Sequence, residues 1–263
     1  MKFHRIKALV MRQIYLYPRN FPRLVDIFVW PILELLVWGF LSIYLEKLNL
    51  GNVNILSVLL GALIFWELLS RSQQAVTLVF FEDVWEKNLL NIFVSPLRLG
   101  EYSLSMVVLG LVRIILQVAV LGVAALIFYH FNVFQFGFYT IPFVISLLLF
   151  GWTLGLFIIA VILRFGTSAQ VLGFGAIFLV QPFSAVFYPV AALPGAVQWI
   201  SYCLPTTYVF EGMRAVIATG TLPWMTLVWS FVLNIVYLII VFWFFAYMFK
   251  KVKEKGLLLK LDQ

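Results

Sequence analysis

Charge is what this sequence has least of. Only 11% of its 263 residues are Asp, Glu, Lys or Arg, and 64% are hydrophobic; a soluble domain carries about a quarter charged residues. Such a chain cannot cover a water-facing surface with polar side chains. That excludes an ordinary soluble domain, and with it the basic soluble surface of a nucleic-acid-binding protein. Cysteine is almost missing: Cys203 stands alone, which excludes an internal disulfide and any multi-cysteine metal site. Histidine is confined to His4 and His130, neither with neighbours that suit a metal or a general base. No G-x-x-x-x-G-K-[ST] loop occurs, so the chain holds no phosphate cradle of that kind for hydrolysing ATP itself. No nucleophile–base pair suggests an intramembrane hydrolase. A cleavable leader is not expected, because the first twenty residues are charged where an apolar core would be needed.

Long apolar runs are present in place of charge. A spanning helix needs about 20 such residues, and six runs qualify: 24–45, 56–80, 103–129, 138–163, 168–187 and 224–249. The net charge of +7 is gathered at the two ends, in Lys2, Arg5, Lys7, Arg12, Arg19 and Arg23 and in Lys250, Lys251, Lys253, Lys255 and Lys260. Basic residues flanking spans mark the cytoplasmic side. Six spans with both termini cytoplasmic put the 81–100 connection inside and the 188–223 connection outside. Lys47 and Arg214 are then the only basic residues expected outside.

Three segments depart from plain spans. Residues 2–17 carry Phe3, Ile6, Val10, Ile14 and Tyr17 as an apolar stripe with Arg5 and Arg12 away from it, as in a helix lying in the membrane interface. Residues 82–94 predict a short cytoplasmic helix, with Phe81, Trp85, Leu89 and Ile92 on one face, acids on the other, and Ser95-Pro96 as its stop. An exposed apolar face of that kind suits a protein partner. Between Phe174 and Ile217 the chain stays apolar, yet Pro182, Pro189, Pro194 and Pro205 interrupt it. Residues 188–217 therefore predict a re-entrant hairpin, a backbone tolerated at membrane depth only where protein or a cavity covers it. Aromatic residues there (Phe178, Phe183, Phe187, Tyr188) are candidates for lining an external gate.

Ionisable residues inside spans are costly and mark function or buried pairing. Glu34, Glu67, Arg71 and Arg113 are the candidates for a transport path. Glu67 and Arg71, four apart, suit a helical ion pair; Arg113 suits either pairing with Glu67 or a place near the cytoplasmic surface. Glu211 and Arg214, three apart, suit pairing at the outer rim. Gly151 with Gly155, and Gly173 with Gly175, offer small surfaces for close helix approach.

Two motifs carry a family resemblance. Glu86-Lys87, Ser95-Pro96-Leu97 and Glu101 match the first cytoplasmic loop of the type-2 ABC exporter permeases, with Asn88-Leu89-Leu90-Asn91 in place of that loop's Gly-Thr-x-Glu step. Leu193-Pro194 followed by Pro205-Thr206-Thr207-Tyr208-Val209-Phe210-Glu211-Gly212-Met213-Arg214 resembles the family's C-terminal signature, with the arginine nine residues after the proline. The order of elements agrees along nearly the whole chain.

The resemblance implies an all-α polytopic fold: an interface helix, six transmembrane helices, a cytoplasmic coupling helix and an external re-entrant hairpin in a single permease domain. It implies a multi-pass protein of the cytoplasmic membrane that works with a second copy of itself and an ABC ATPase subunit, amid membrane lipid and without nucleic acid. ATP and magnesium would sit on the ATPase, and this chain would hold no cofactor, metal or catalytic residue. The expected cargo is hydrophobic or amphipathic: lipid, glycan or drug-like. Glu82, Asp83, Trp85, Glu86 and Leu89 are the expected ATPase-coupling residues; Pro194, Pro205, Glu211 and Arg214 are expected to shape the external gate. An ion-gradient-driven transporter or channel is the alternative that the residues alone leave open.

Overall fold

The apolar runs resolve into helices. A computed structural model describes residues 3–16, 21–48, 55–86, 92, 94, 97–130, 138 and 140–254, and no strand occurs among them. In chain order the α-helices with both ends among the described residues are α1 (Phe3–Leu16), α2 (Phe21–Lys47), α3 (Ile55–Trp85), α4 (Leu99–Tyr129), α5 (Thr140–Phe165), α6 (Val171–Val180), α7 (Gly195–Tyr202), α8 (Pro205–Thr219) and α9 (Trp224–Glu254). Among the described residues four stretches are long and apolar enough to cross a membrane: Phe28–Lys47, Gly100–Tyr129, Thr140–Phe165 and Trp224–Glu254. Helix α3, with 31 residues, is as long as any of them, but it carries Glu67 and Arg71 along its length and Glu82 and Asp83 near its end. The expected span at 168–187 is broken into a 3-10 turn (Thr167–Gln170), α6 and a second 3-10 turn (Gln181–Phe183). Pro182 has no N–H to extend the ladder, and the chain then turns through Ala185, a buried residue held at φ 51°.

Helix α5 is the centre of the bundle. Over its apolar window 67% is buried, against 22% for α2 and α9 and 28% for α4. It packs on α3, α8 and α9, while α3 also meets α2, α4 and α6. Glycine permits the closest crossings. A Cβ at Gly151 would overlap Ser72 Oγ, and one at Gly155 would stand 3.0 Å from the Gln73 carbonyl oxygen. Gly173 of α6 faces the Phe81 ring in the same way, whereas Gly175 has nothing within 4 Å. The expected small surface is thus present at Gly151, Gly155 and Gly173 and absent at Gly175.

The ends of the bundle differ in character. Leu9 and Val10 of α1 pack against the cluster that also contains Met248 and Val252 of α9, so both terminal helices border one end of the bundle. The end of α3 and the start of α4 lie there too, since the Tyr102 hydroxyl donates to Asp83 at 2.8 Å. At the opposite end α7 and α8 form the hairpin. Pro194 precedes α7 in extended conformation, and Pro205 opens α8, where a missing N–H costs nothing. Gly220 ends α8 at φ 68°, its N–H donating to the Val216 carbonyl.

One boundary shifts. The helix expected to begin at 82 does not begin there: α3 runs unbroken to Trp85, and Glu82 and Asp83 belong to its last turn. Leu89 lies outside the described residues. Nor is Phe81 part of an open face, because Phe174 and Gly173 of α6 cover it. Trp85, 55% exposed, is the aromatic residue that stays open.

Candidate functional site

Three constellations hold polar side chains in this apolar frame. The first ties α1 to the bundle. Arg12 bridges two acids at the end of α3, reaching Asp83 at 3.0 Å and Glu86 at 2.8 Å. On α4, Glu101 accepts the Arg98 N–H at 3.0 Å, capping the helix's first turn, and meets Arg5 at 3.3 Å. Asp83 and Glu101 are buried, where a carboxylate persists only with a cation and hydrogen bonds around it. Burial pushes the Asp83 carboxyl up, and the Tyr102 hydroxyl and Arg12 bring it only part of the way back. Burial alone would lower Arg12, but Asp83 and Glu86 outweigh it and raise the guanidinium. Glu82 is also turned inward: Arg113 of α4 reaches it at 3.3 Å. Of the two positions expected for Arg113, pairing with Glu67 is not the one adopted.

The second constellation is at mid-helix. Arg71 Nε stands 3.0 Å from Glu67 Oε2, and its Nη1 donates to Gln74 Oε1 at 3.2 Å. Glu34 of α2 lies within hydrogen-bonding reach of Glu67 and beside Arg71. Every residue from Leu60 to Ser70 of α3 is buried, but Arg71, Gln74, Leu78 and Trp85 are not. Their spacing (i, i+3, i+7, i+14) puts them on one face of the helix. Arg71, Gln74 and Leu78 thus form a partly exposed stripe on α3, which the buried Phe81 and Glu82 separate from the exposed Trp85. Helix α6 flanks it, with Gln73 Nε2 donating to the Gly173 carbonyl at 3.1 Å. One turn beyond Glu34, Trp38 stacks on Phe187 at a centroid separation of 4.3 Å, joining α2 to the turn after α6.

The third constellation holds the hairpin. Glu211 Oε1 accepts the Val190 N–H at 2.7 Å and pairs with Arg214 at 3.1 Å; Arg214 Nη1 donates to the Val186 carbonyl at 3.2 Å. The pair thus fastens α8 to the loop that follows the broken span. Thr206 shares a hydrogen bond with Ser184 at 2.8 Å. Behind α8, Asn234 of α9 donates to the Ser146 hydroxyl at 2.8 Å and to its carbonyl at 3.1 Å. Ser146 in turn bonds Ser230, whose hydroxyl donates to the Pro205 carbonyl at 3.0 Å.

Several of these residues escaped sequence reasoning. Arg5 and Arg12 read only as the polar side of a basic interface helix, and nothing local ties them to Glu101 and Glu86, 96 and 74 positions away. Asn234 was legible, since an amide in the middle of an apolar run needs a partner in a membrane. Replacing it with leucine is expected to leave the Ser146 hydroxyl and carbonyl without this donor and to cost about 1 kcal/mol. Thermal unfolding in detergent would show this as a small, reproducible loss.

Among the described residues no group of His, Cys, Asp and Glu could hold a metal ion. A family model described as ABC-2 type transporter matches residues 4–218. No curated protein matches the chain.

Proposed function

The chain belongs to the ABC-2 type transporter family as a membrane permease component, and from that premise we propose that it exports a hydrophobic or amphipathic substrate using a separate ATPase subunit. Both termini and the α3–α4 connection lie in the cytoplasm on this reading, and the α7–α8 hairpin faces outward. The exporter works in the cytoplasmic membrane as a pair of identical chains on a pair of ATPases, which carry the ATP and magnesium.

The observation that carries the reading is the unbroken run of α3 from the Glu67–Arg71 pair to the exposed Trp85. Trp85 and Glu86 are exposed at one end of it, and Glu67, Arg71 and Gln74 stand at the other. Arg71 and Trp85 are fourteen residues apart, about 21 Å of helix. An unbroken helix is stiff on this scale, so a push delivered at Trp85 by a nucleotide-driven partner reaches the mid-membrane cluster. Coupling rests on Trp85 and Glu86 as the contact residues. Glu82 and Asp83 act behind them by fixing the end of α3 against α4 and α1; Leu89 is a further coupling residue on the family resemblance. Glu34, Glu67 and Arg71 line the path, and Arg113 holds Glu82. Pro194, Pro205, Glu211 and Arg214 shape the outer gate.

The test is co-purification with candidate ABC ATPases, followed by Trp85→Ala. The expected result is a folded chain whose partner's substrate-stimulated ATP hydrolysis falls by at least tenfold. Transport that follows an ion gradient and persists without any ATPase would instead favour a secondary transporter built on Glu34 and Glu67.

A further inference from the structure

Among the described residues, two that are not glycine hold positive φ: His130 and Ala185. His130 caps the end of α4, a usual place for a left-handed residue. Ala185 follows the 3-10 turn Gln181–Phe183, where glycine is the residue expected to turn this way. Alanine has neither glycine's freedom nor a polar side chain to bond its own backbone. Its φ of 51° therefore persists only because the surroundings impose it.

Those surroundings are one face of α8, on which Thr207, Glu211 and Arg214 stand at i, i+4 and i+7 with Thr206 alongside. Two of these side chains hold the chain before Ala185. Thr206 shares a hydrogen bond with the Ser184 hydroxyl at 2.8 Å, and Thr207 Oγ1 donates to the Phe183 carbonyl at 3.4 Å. The other two hold it afterwards, Arg214 at the Val186 carbonyl and Glu211 at the Val190 N–H. Two residues beyond Ala185, Phe187 lies flat on Trp38 of α2.

We propose that Ala185 is a sprung hinge: α8 holds it left-handed while Phe187 rests on Trp38, and a loosened grip lets the backbone relax and lifts Phe187 from the ring. The inference deepens, and rests on, the reading of the hairpin as an outer gate. Relaxation to the ordinary helical or extended region turns φ by roughly 100° or more, which redirects the chain on its way to Phe187. The two contributions oppose each other. Backbone strain favours parting, and the hydrogen bonds of α8 favour closure, so a small movement of α8 shifts the balance. Trp38 stands one turn beyond Glu34 on α2, so parting uncovers the outer end of the path.

Thiol labelling tests the hinge. In a Cys203→Ser background, Glu34→Cys places a reporter one turn inward of Trp38, and a membrane-impermeant maleimide is applied to sealed vesicles of known orientation. Glycine takes a φ of 51° without strain, so Ala185→Gly is expected to slow labelling from outside at least threefold. Glu211→Gln removes the charge that pairs with Arg214 and is expected to speed labelling at least threefold. Ala185→Gly added to Glu211→Gln should return the rate toward the parent, because glycine holds the turn with less help from α8. Thr207→Val, which lacks the bond to the Phe183 carbonyl, repeats the measurement with an independent variant. A rate from outside that ignores residue 185 in every background overturns the hinge and leaves the outward path standing. Labelling that depends on residue 185 only from the cytoplasmic side upholds the hinge and sinks the outward placement of the hairpin. Absence of labelling from both sides in every variant overturns the inference.

Discussion

Replacing Arg12 with alanine is expected to lower the stability of the protein by about 3 kcal/mol, near the lower end for removing one partner of a buried ion pair. The lower end applies because the Arg12 side chain keeps 29% of its exposure while Asp83 keeps 2%. In a chain of this size that corresponds to a fall of about 10 °C in melting temperature. The loss comes from Asp83, which remains buried with the Tyr102 hydroxyl donating to it. It therefore carries a pH signature. Burial already holds the Asp83 carboxyl above its ordinary value, and removing Arg12 moves it higher. A carboxyl raised in the folded state contributes its stability below the unfolded value and loses it as pH rises through the folded one. The variant should thus be closest to the parent in mildly acidic buffer and furthest from it at neutral pH. Arg12→Ala combined with Asp83→Asn should recover most of the loss, because the neutral amide still accepts from Tyr102 and leaves no unpaired charge. A melting curve of Arg12→Ala that is flat with pH, or a double variant no better than the single, would show that Arg12 acts through something other than Asp83.

Gly151→Ala is expected to be as damaging, although it adds one methyl group. That methyl would overlap Ser72 Oγ and stand 2.8 Å from the Leu69 carbonyl oxygen. The obstruction is partly backbone, so rotating a side chain does not relieve it. Helices α3 and α5 must separate, and overpacking of this kind costs about 2–3 kcal/mol. The site is the crossing of the two most buried helices in the bundle, so the separation spreads to every helix that rests on α5. Gly175→Ala is the control. Its Cβ would meet nothing within 4 Å, and alanine is the better helix former by up to about 1 kcal/mol. It should leave the melting temperature unchanged or raise it. Equal behaviour of the two variants in thermal unfolding would mean that the α3–α5 crossing is looser than its geometry indicates.

Both expectations turn on contacts between helices, and this is where the sequence stops being sufficient. Its scarcity of charge and its apolar runs determined the membrane class and the helical fold, because lipid admits few other backbones. Pro182, Pro189, Pro194 and Pro205 were enough to show that the stretch from Phe174 to Ile217 is no single straight helix, since each acts on its own backbone. The four-residue spacing of Glu67 and Arg71, and the three-residue spacing of Glu211 and Arg214, foretold their pairing for the same local reason. Tertiary structure alone decided that Arg113 takes Glu82, that Arg12 joins α1 to Asp83 and Glu86, and that α3 continues through Trp85 as one rod. It alone turned Gly151 and Gly173 toward neighbours and left Gly175 facing none. Periodicity states which residues share a face of a helix; which helix that face meets, and at what height, depends on how all the helices pack at once.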